Sequence, residues 1–348
     1  VPAPVILAID GNSLVHRSYH AQARTGLHDE HGRPCWAVRG LLMQLVAAVE
    51  RIRPAVVVVG FDDPESSLRR TRWPAYKANR IDKLDSLVEQ LACAAELLRD
   101  LGVAVVVPPG LEADDVLATV ATTAPKLGAT TVVVTSDRDA FALIDETTTV
   151  LRIINGGVDA SPMMTAERLI LLLGVRPDQY RDFAALRGDP SDNLPGVRGI
   201  GPRSAARLLQ EFGSARAAFD DLPAVRSRLG AGVAARLAEP AARAAWELNC
   251  QVMTMHADVA LRLDLENGPG VLPLPAETVG RVFRSQQLVW TVNDALCALA
   301  AADPDRLERP REPVPSWIDP PITAASFRRP PLPKLPARPV SAQLSLFD

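Results

Sequence analysis

The chain has 348 residues, 47% of them apolar, and a formal net charge of −3, which is enough to bury one large core or two modest ones and describes a globular, soluble protein. No apolar run reaches the length a bilayer needs, and the first residues lack the basic-then-apolar pattern of a secretory leader. The expectation is therefore a cytoplasmic protein with no membrane partner. Cys35, Cys93, Cys250 and Cys297 are scattered without a CxxC pair, which argues against a disulfide framework or a thiolate zinc centre.

Residues 5–9 form an apolar strand that runs into Asp10-Gly11-Asn12-Ser13, and a helix is expected from there through His20, with Ser13 able to cap it. Asp10 thus stands at the carboxyl end of a strand, where ligand sites gather in open α/β sheets, and Arg17 lies one turn further on. A second helix cap is the bland reading of Asp10. Residues 37–52 read as an amphipathic helix, and residues 55–61 as a wholly apolar, buried parallel strand ending on Asp62-Asp63. The next segment, 68–80, reads LRRTRWPAYKANR: five cations and no acid, with Trp73 and Tyr76 interleaved. Cations hold phosphates while aromatic faces stack on unpaired bases, so Arg69, Arg70, Tyr76, Lys77 and Arg80 are candidate nucleic-acid contacts. A solvated charge run is the alternative.

A helix over 82–101 stops at Gly102, a strand follows at 103–107, and Glu112, Asp114 and Asp115 open a helix over 116–123. A helix N-terminus welcomes acids. Three acids in four positions repel one another unless a cation neutralises them, which favours metal ligation. A fourth strand, 130–135, delivers Ser136-Asp137-Arg138-Asp139 at its end.

From residue 165 the chain turns helical, with helices expected at 165–173 and 177–186. The stretch 186–209, LRGDPSDNLPGVRGIGPRSAARLL, then sets Asp189 and Asp192 three apart in a Gly/Pro-broken loop, a spacing that lets both face one cation. The Gly199-Ile200-Gly201-Pro202 hairpin follows. Its small residues let the backbone approach a phosphate at the next helix N-terminus, making Gly199, Gly201, Arg203 and Ser204 candidate DNA contacts. Ala-rich helices are expected to residue 248, a short strand at 261–265, and closing helices at 275–283 and 290–301. Beyond residue 303, prolines recur at short intervals as in a semi-extended tether, which ends on Gln343-Leu344-Ser345-Leu346-Phe347-Asp348. Apolar anchors on such a tether fit a peptide that docks in a partner's groove. The division expected is 1–164 as an α/β core, 165–302 as a helical lobe, and 303–348 as the tether.

Nine acids (Asp10, Asp62, Glu112, Asp114, Asp115, Asp137, Asp139, Asp189 and Asp192) fall at four strand ends and one hairpin. An all-oxygen donor set with no His or Cys selects hard cations, Mg²⁺ or Mn²⁺, over zinc.

With these residues placed, the chain resembles the 5′-nuclease family (flap endonucleases and 5′-to-3′ exonucleases), which includes the N-terminal nuclease domain of bacterial DNA polymerase I. The resemblance runs over about residues 6–265 and is carried by AIDGNSLVHRSYHA, FDD, PAYKANR, GLEADDVLA, TSDRDAFALI and LRGDPSDNLPGVRGIGPRSA, in the family's order. It implies an α/β fold: a twisted, mostly parallel, PIN-like sheet flanked by helices, with a helical lobe carrying a helix-hairpin-helix-type (H2TH) motif. It also implies structure-specific hydrolysis of DNA at 5′ flaps, nicks or ends by a two-metal mechanism in replication and repair, with RNA primer segments as further substrates.

By that resemblance, Asp10, Asp62, Glu112 and Asp114 would hold one ion and Asp114, Asp137, Asp139 and Asp192 a second, with Asp115 and Asp189 contributing directly or through water. Arg17, Arg69 and Lys77 match the family's cations near the scissile or terminal phosphate, Lys77 and Arg17 being the catalytic candidates, and Tyr76 matches its stacking residue. The hairpin resembles ones that hold K⁺ on backbone carbonyls, for which Val197 and Ile200 are the candidates. The segment 80–84 is shorter than in polymerase I, which leaves the shape of the gateway over the site open. With no polymerase domain following, a freestanding, monomeric nuclease is the expectation. The closing QLSLFD resembles the bacterial sliding-clamp-binding motif through Gln343, Leu344, Leu346 and Phe347. The competing readings are a non-catalytic DNA-junction binder and an RNA-directed nuclease of related fold.

Overall fold

The computed structural model of the chain describes residues 2–29, 32–80, 83–303 and 307. Strands β1 (Val5–Asp10), β2 (Val56–Gly60), β3 (Ala104–Val106), β4 (Thr130–Thr135), β5 (Thr148–Arg152) and β6 (Met163–Met164) form one sheet in the order β3-β2-β1-β4-β5-β6. All neighbours are parallel except β5 and β6. The apolar runs of β1, β2 and β4 require this arrangement, because a strand apolar on both faces must be covered on both. Ile6, Ala8, Val56, Val58, Val133 and Val150 enter one core, while Leu7, Ile9, Val57, Val59, Val134 and Leu151 enter the other.

The helices are α1 (Gly11–Gln22), α2 (Trp36–Ile52), α3 (Leu68–Arg72), α4 (Asp85–Leu101), α5 (Ala113–Thr123), α6 (Gly157–Ala160), α7 (Ala166–Leu173), α8 (Pro177–Arg187), α9 (Pro202–Phe212), α10 (Ala215–Asp220), α11 (Leu222–Leu229), α12 (Ala231–Leu237), α13 (Pro240–Val252), α14 (Ala276–Ser285) and α15 (Val292–Ala300). Leu14, Leu41, Leu45, Leu98 and Leu101 of α1, α2 and α4 cover the Leu7 face. Val116 and Val120 of α5, with Tyr180 and Phe183 of α8 and Leu208 of α9, cover the Ile6 face and continue into the helical lobe.

Three expectations from the sequence are corrected. Strands β5 and β6 were not foreseen, although the β-branched run Thr147-Thr148-Thr149-Val150 carried the signal for β5. No strand forms at 261–265. Leu261, Leu263 and Leu265 do press against the core, so the alternation has a packing cause, but this extended stretch follows α5 instead of pairing with a strand. Upstream in the same stretch, Val259 N donates to Thr119 Oγ1 at 3.1 Å.

The third correction is the boundary of the helical lobe. Residues 270–300 leave it and return to the α/β core: Gly270 N donates to Gly102 O (2.7 Å) and Leu272 N to Ala55 O (2.9 Å). Phe283 and Leu288, fully buried, then join the Leu7 face with α14 and α15. An amphipathic helix fits any apolar surface, so periodicity could not say which core these helices close. Of the tether, only residues 303 and 307 are described, and Gln343, Leu344, Leu346 and Phe347 lie outside the described residues.

Candidate active site

The chain leaves β1 toward β2 and β3 but leaves β4 toward β5, so the connections diverge between two neighbouring strands and open a crevice at their carboxyl ends. Asp10, the last residue of β1, lies at that point. Its Oδ1 accepts from Ser13 N at 2.8 Å, capping α1, and its Oδ2 accepts from Thr135 Oγ1 of β4 at 2.7 Å. Asp10 is therefore both the helix cap and a member of the crevice, and Ser13 is not the cap. Asp62, just past β2, accepts from Ala113 N at 3.0 Å and from Asn12 Nδ2 at 2.8 Å, while Asn12 Oδ1 takes Asp62 N at 2.9 Å. Asn12 escaped the sequence reading, although it lies within the AIDGNS opening.

Asp137 Oδ1 accepts from Asp139 N at 3.0 Å, folding the turn after β4. Asp189 and Asp192 hang from a small hairpin of β7 (Gly188–Asp189) and β8 (Leu194–Pro195). Gly188 has φ +77°, and a Cβ there would stand 2.2 Å from Gly196 N, so only glycine lets the two backbones meet.

The acids act on one another electrostatically. Burial pushes Asp10 up to about 7 against the hydrogen bonds from Ser13 and Thr135, and Asp62 and Asp137 add to the rise. Burial, then Asp137 and Asp10, hold Asp114 well above the usual carboxylate range. Burial, then Asp137, Asp189 and Asp192, push Asp139 up to about 7. Asp192 is also raised by burial, in spite of Lys77 and Arg80. Asp10, Asp62, Asp114, Asp137, Asp139, Asp189 and Asp192 thus share one cleft. Asp114 Oδ1 is sealed from solvent with no hydrogen-bond partner among the described residues.

Among the described residues, no three of these side chains already converge on one point. Several are turned to protein donors instead: Asp189 Oδ1 to Ser191 N (2.8 Å) and Oγ (2.6 Å), Asp192 to Arg80, and Glu112 Oε2 to Lys77 Nζ at 3.1 Å. An all-oxygen set of mutually repelling carboxylates with one orphaned buried oxygen fits hard divalent cations, reached by small side-chain turns.

This frustration predicts an unusual stability profile. An aspartate whose folded pKa is raised carries no penalty below its unfolded value of 3.8, and the penalty grows as pH rises toward about 7. With EDTA present, the protein should melt higher at pH 5 than at pH 8, and Mg²⁺ or Mn²⁺ should recover on the order of 5 °C at pH 8. His16, held down to about 4 by burial with Lys83, His20 and Arg80, acts in the opposite sense. The metal-dependent part of the difference, followed by calorimetry at both pH values, is therefore the readout. An unchanged melting temperature on adding metal at pH 8 would contradict the shared-cleft reading.

Two residues proposed from sequence as a metal ligand and a phosphate contact are engaged elsewhere. Asp115 is fully buried and meets Arg69 through two hydrogen bonds of 2.9 and 2.6 Å, while accepting from Glu112 N at 2.9 Å and His256 N at 2.7 Å. All its acceptor capacity is spent on protein. Arg69, itself buried, also reaches Val252 O (3.2 Å) and Thr254 O (3.0 Å), which ties α3 to α5 and α13. In this structure it serves as a structural cation. Tyr76 is buried as well: its hydroxyl donates to Glu112 Oε2 at 3.1 Å, and Lys77 Nζ lies 4.7 Å from its ring centre.

Lys77 lies over the acids with φ +57°, a costly conformation for a residue with a Cβ, and its amide donates to Asp192 O at 2.9 Å. Arg70 is exposed on α3, and Arg17 reaches Asn155 Oδ1 at 2.8 Å.

The hairpin leads into α9 with Pro202 in the first turn. Val197 N donates to Leu186 O at 2.8 Å and Ile200 N to Val197 O at 2.9 Å, so these two candidates close the turn with buried side chains. Gly199 has φ +75°, and Gly201 and Arg203 are exposed with Ser204 half-buried beside them. Asn249 of α13 fastens the whole by donating to Ala185 O (2.9 Å) and Pro195 O (2.8 Å).

Comparison with known proteins matches residues 5–170 to the 5′-3′ exonuclease N-terminal resolvase-like domain and residues 175–271 to the 5′-3′ exonuclease C-terminal SAM fold. The second match ends where the chain returns to the α/β core. Similar sequences include DNA polymerase I of Mycobacterium tuberculosis, 40% identical over 68% of this chain and 26% of the polymerase. Another is the thermostable DNA polymerase I of Thermus thermophilus, 37% identical over 76% of this chain and 30% of the polymerase. The chain therefore corresponds to less than a third of the length of these relatives. Among solved structures, a zinc-bound T5 5′-exonuclease superimposes with a TM-score of 0.57 at 18% identity, covering 84% of this chain and 93% of that one. The catalytic core of Rad2 in complex with DNA substrate gives 0.54 at 16% identity, covering 86% and 92%. At these identities the two structures establish the fold.

Proposed function

The chain belongs to the 5′-3′ exonuclease family, and from that premise we propose that it hydrolyses DNA phosphodiesters at 5′ flaps, nicks and ends with two divalent ions, Mg²⁺ or Mn²⁺. The observation that carries the proposal is the single cleft at the β1–β4 divergence, where seven carboxylates meet, Asp10, Asp114, Asp139 and Asp192 are raised by burial and by neighbouring charge, and Asp114 keeps a buried oxygen without a partner.

Asp10, Asp62, Glu112 and Asp114 would hold one ion, and Asp114, Asp137, Asp139 and Asp192 the other, with Asp189 acting through water. When bound, such ions lower the pKa of a water into the neutral range and offset charge on the phosphate and the leaving oxygen. The chain's own groups do the rest. Asn12 and Ala113 N orient Asp62, and Thr135 orients Asp10. Lys77 and Arg17 exchange their present partners, Glu112 and Asn155, for the phosphate; losing one such donor costs roughly 2.7–4 kcal/mol in comparable sites. Arg70 and Arg80, with the amides and Arg203 at the start of α9, grip the duplex backbone. K⁺ on the hairpin carbonyls around Val197 and Ile200, docking of residues 343–347 to a sliding clamp, and a monomeric state belong to the same proposal.

The test is cleavage of a 5′-flap DNA with Mg²⁺ or Mn²⁺ beside a matched RNA flap. DNA cleavage by the native chain is expected, with turnover abolished and duplex binding retained in Asp137→Asn. Binding without turnover by the native chain would turn the reading to a junction-binding protein. Preference for the RNA flap would turn it to an RNA-directed nuclease.

A further inference from the structure

Next to the carboxylate cleft, the carboxyl ends of β4 and β5 carry arginines that the proposed mechanism leaves unused. Thr135 and Arg152 are register partners across β4 and β5, and Arg138 lies three residues beyond Thr135. The Ser13 and Ser136 hydroxyls, 2.5 Å apart, pin the start of α1 to this corner, and Arg17, one turn along α1, crosses it to reach Asn155. Asn155 is presented by a tight turn in which Gly156 and Gly157 have φ +105° and +77°.

Arg152 Nε is sealed from solvent and has no hydrogen-bond partner among the described residues. The ion pairs of Arg33, Arg69, Arg80, Arg176, Arg228 and Arg243 engage neither Arg138 nor Arg152. Burial first, then Arg138 and more weakly Arg17, hold the Arg152 guanidinium below its ordinary pKa against Tyr180 and Asp137, so Arg138 and Arg17 lie close enough to Arg152 to repel it. Gathering like charges costs stability unless an anion joins them, and planar guanidinium forks match phosphate oxygens.

We propose that Arg138 and Arg152 form an anion subsite at the β4–β5 corner, which takes a nucleic-acid phosphate one nucleotide away from the bond cut at the adjoining carboxylates. A free anion arriving there would be repelled by Asp137 and its neighbours. A phosphate carried by a strand already gripped in the cleft is delivered by that strand, so its binding is effectively intramolecular. For release of a single nucleotide, the phosphate at that distance is the 5′-terminal one. The subsite therefore gives the chain a preference for 5′-phosphorylated over 5′-hydroxyl ends.

The inference rests on the reading of the chain as a nuclease of 5′ ends. The experiment compares nicked duplexes ending in 5′-phosphate and 5′-hydroxyl, cut with Mg²⁺ by the native chain, Arg152→Gln and Arg152→Lys. The native chain should favour the phosphorylated end by about tenfold in kcat/KM, the scale of one hydrogen bond to a charged group. Arg152→Gln should bring the ratio close to one while cutting the hydroxyl end as before, and Arg152→Lys should keep part of the preference. An unchanged ratio in Arg152→Gln, or an equal loss on both substrates, would overturn the subsite. Binding of the same two duplexes in EDTA separates this from the catalytic reading: the phosphate preference should persist without turnover in the native chain, and its absence there sinks the subsite even if both DNAs are cut.

Discussion

Replacing Asp114 by Asn is expected to lower flap cleavage by on the order of 10³-fold, the upper scale for losing one preorganised charge at a transition state, and at the same time to raise the melting temperature of the metal-free protein. Asp114 is the one residue assigned to both proposed ion sites. Its Oδ1 has no protein partner among the described residues, and its charge opposes those of Asp10, Asp137 and Asp139. Removing that charge relieves repulsion in the empty cleft and removes a bridge from the filled one. Turnover with Mn²⁺ and melting in EDTA measure the two effects on the same sample. An aspartate kept for folding would lose stability along with activity, so a lower melting temperature in EDTA would return Asp114 to a structural role.

Arg69→Ala should cost about 3–5 kcal/mol of stability, the penalty for leaving a buried carboxylate uncompensated. Asp115 is fully buried, and Arg69 supplies two of its hydrogen bonds while also binding Glu112 and the carbonyls of Val252 and Thr254. Urea unfolding measures the loss, and a cost below about 1 kcal/mol would show that Arg69 is not the clamp between α3, α5 and α13. The exposed neighbour Arg70 provides the contrast. Arg70→Ala should leave stability unchanged and lower the salt dependence of DNA binding by about one unit of slope, as loss of one phosphate contact does.

Much of the site was legible in the sequence because of where a strand ends. Apolar runs at 5–9, 55–61 and 130–135 each stop at Asp10, Asp62 or Ser136-Asp137, and a parallel strand must deliver whatever follows it to the same edge of the sheet. The all-oxygen composition of that edge by itself selects the class of cation. The gripping hairpin was equally visible, because Gly199, Gly201 and Pro202 are residues chosen for backbone reasons that hold in any surroundings.

What the chain's order did not contain was which neighbours each side chain would meet. Asp114 and Asp115 are adjacent and chemically identical, yet successive residues on a helix point about 100° apart. The placement of α5 sends one into the cleft and the other to Arg69. The basic segment 68–80 reads as uniform charge, but packing buries Arg69 and Tyr76 and leaves Arg70 outside. Arg152 becomes interesting only because β5 lies beside β4, a pairing between residues 17 positions apart that a local pattern does not encode. Local periodicity and backbone-demanding residues are properties of the chain itself, and the sequence therefore determined the strand ends, the acids and the hairpin. Burial and charge pairing are properties of contacts between distant segments, and the tertiary structure alone decided which acids face the cleft and which cations remain free to meet a phosphate.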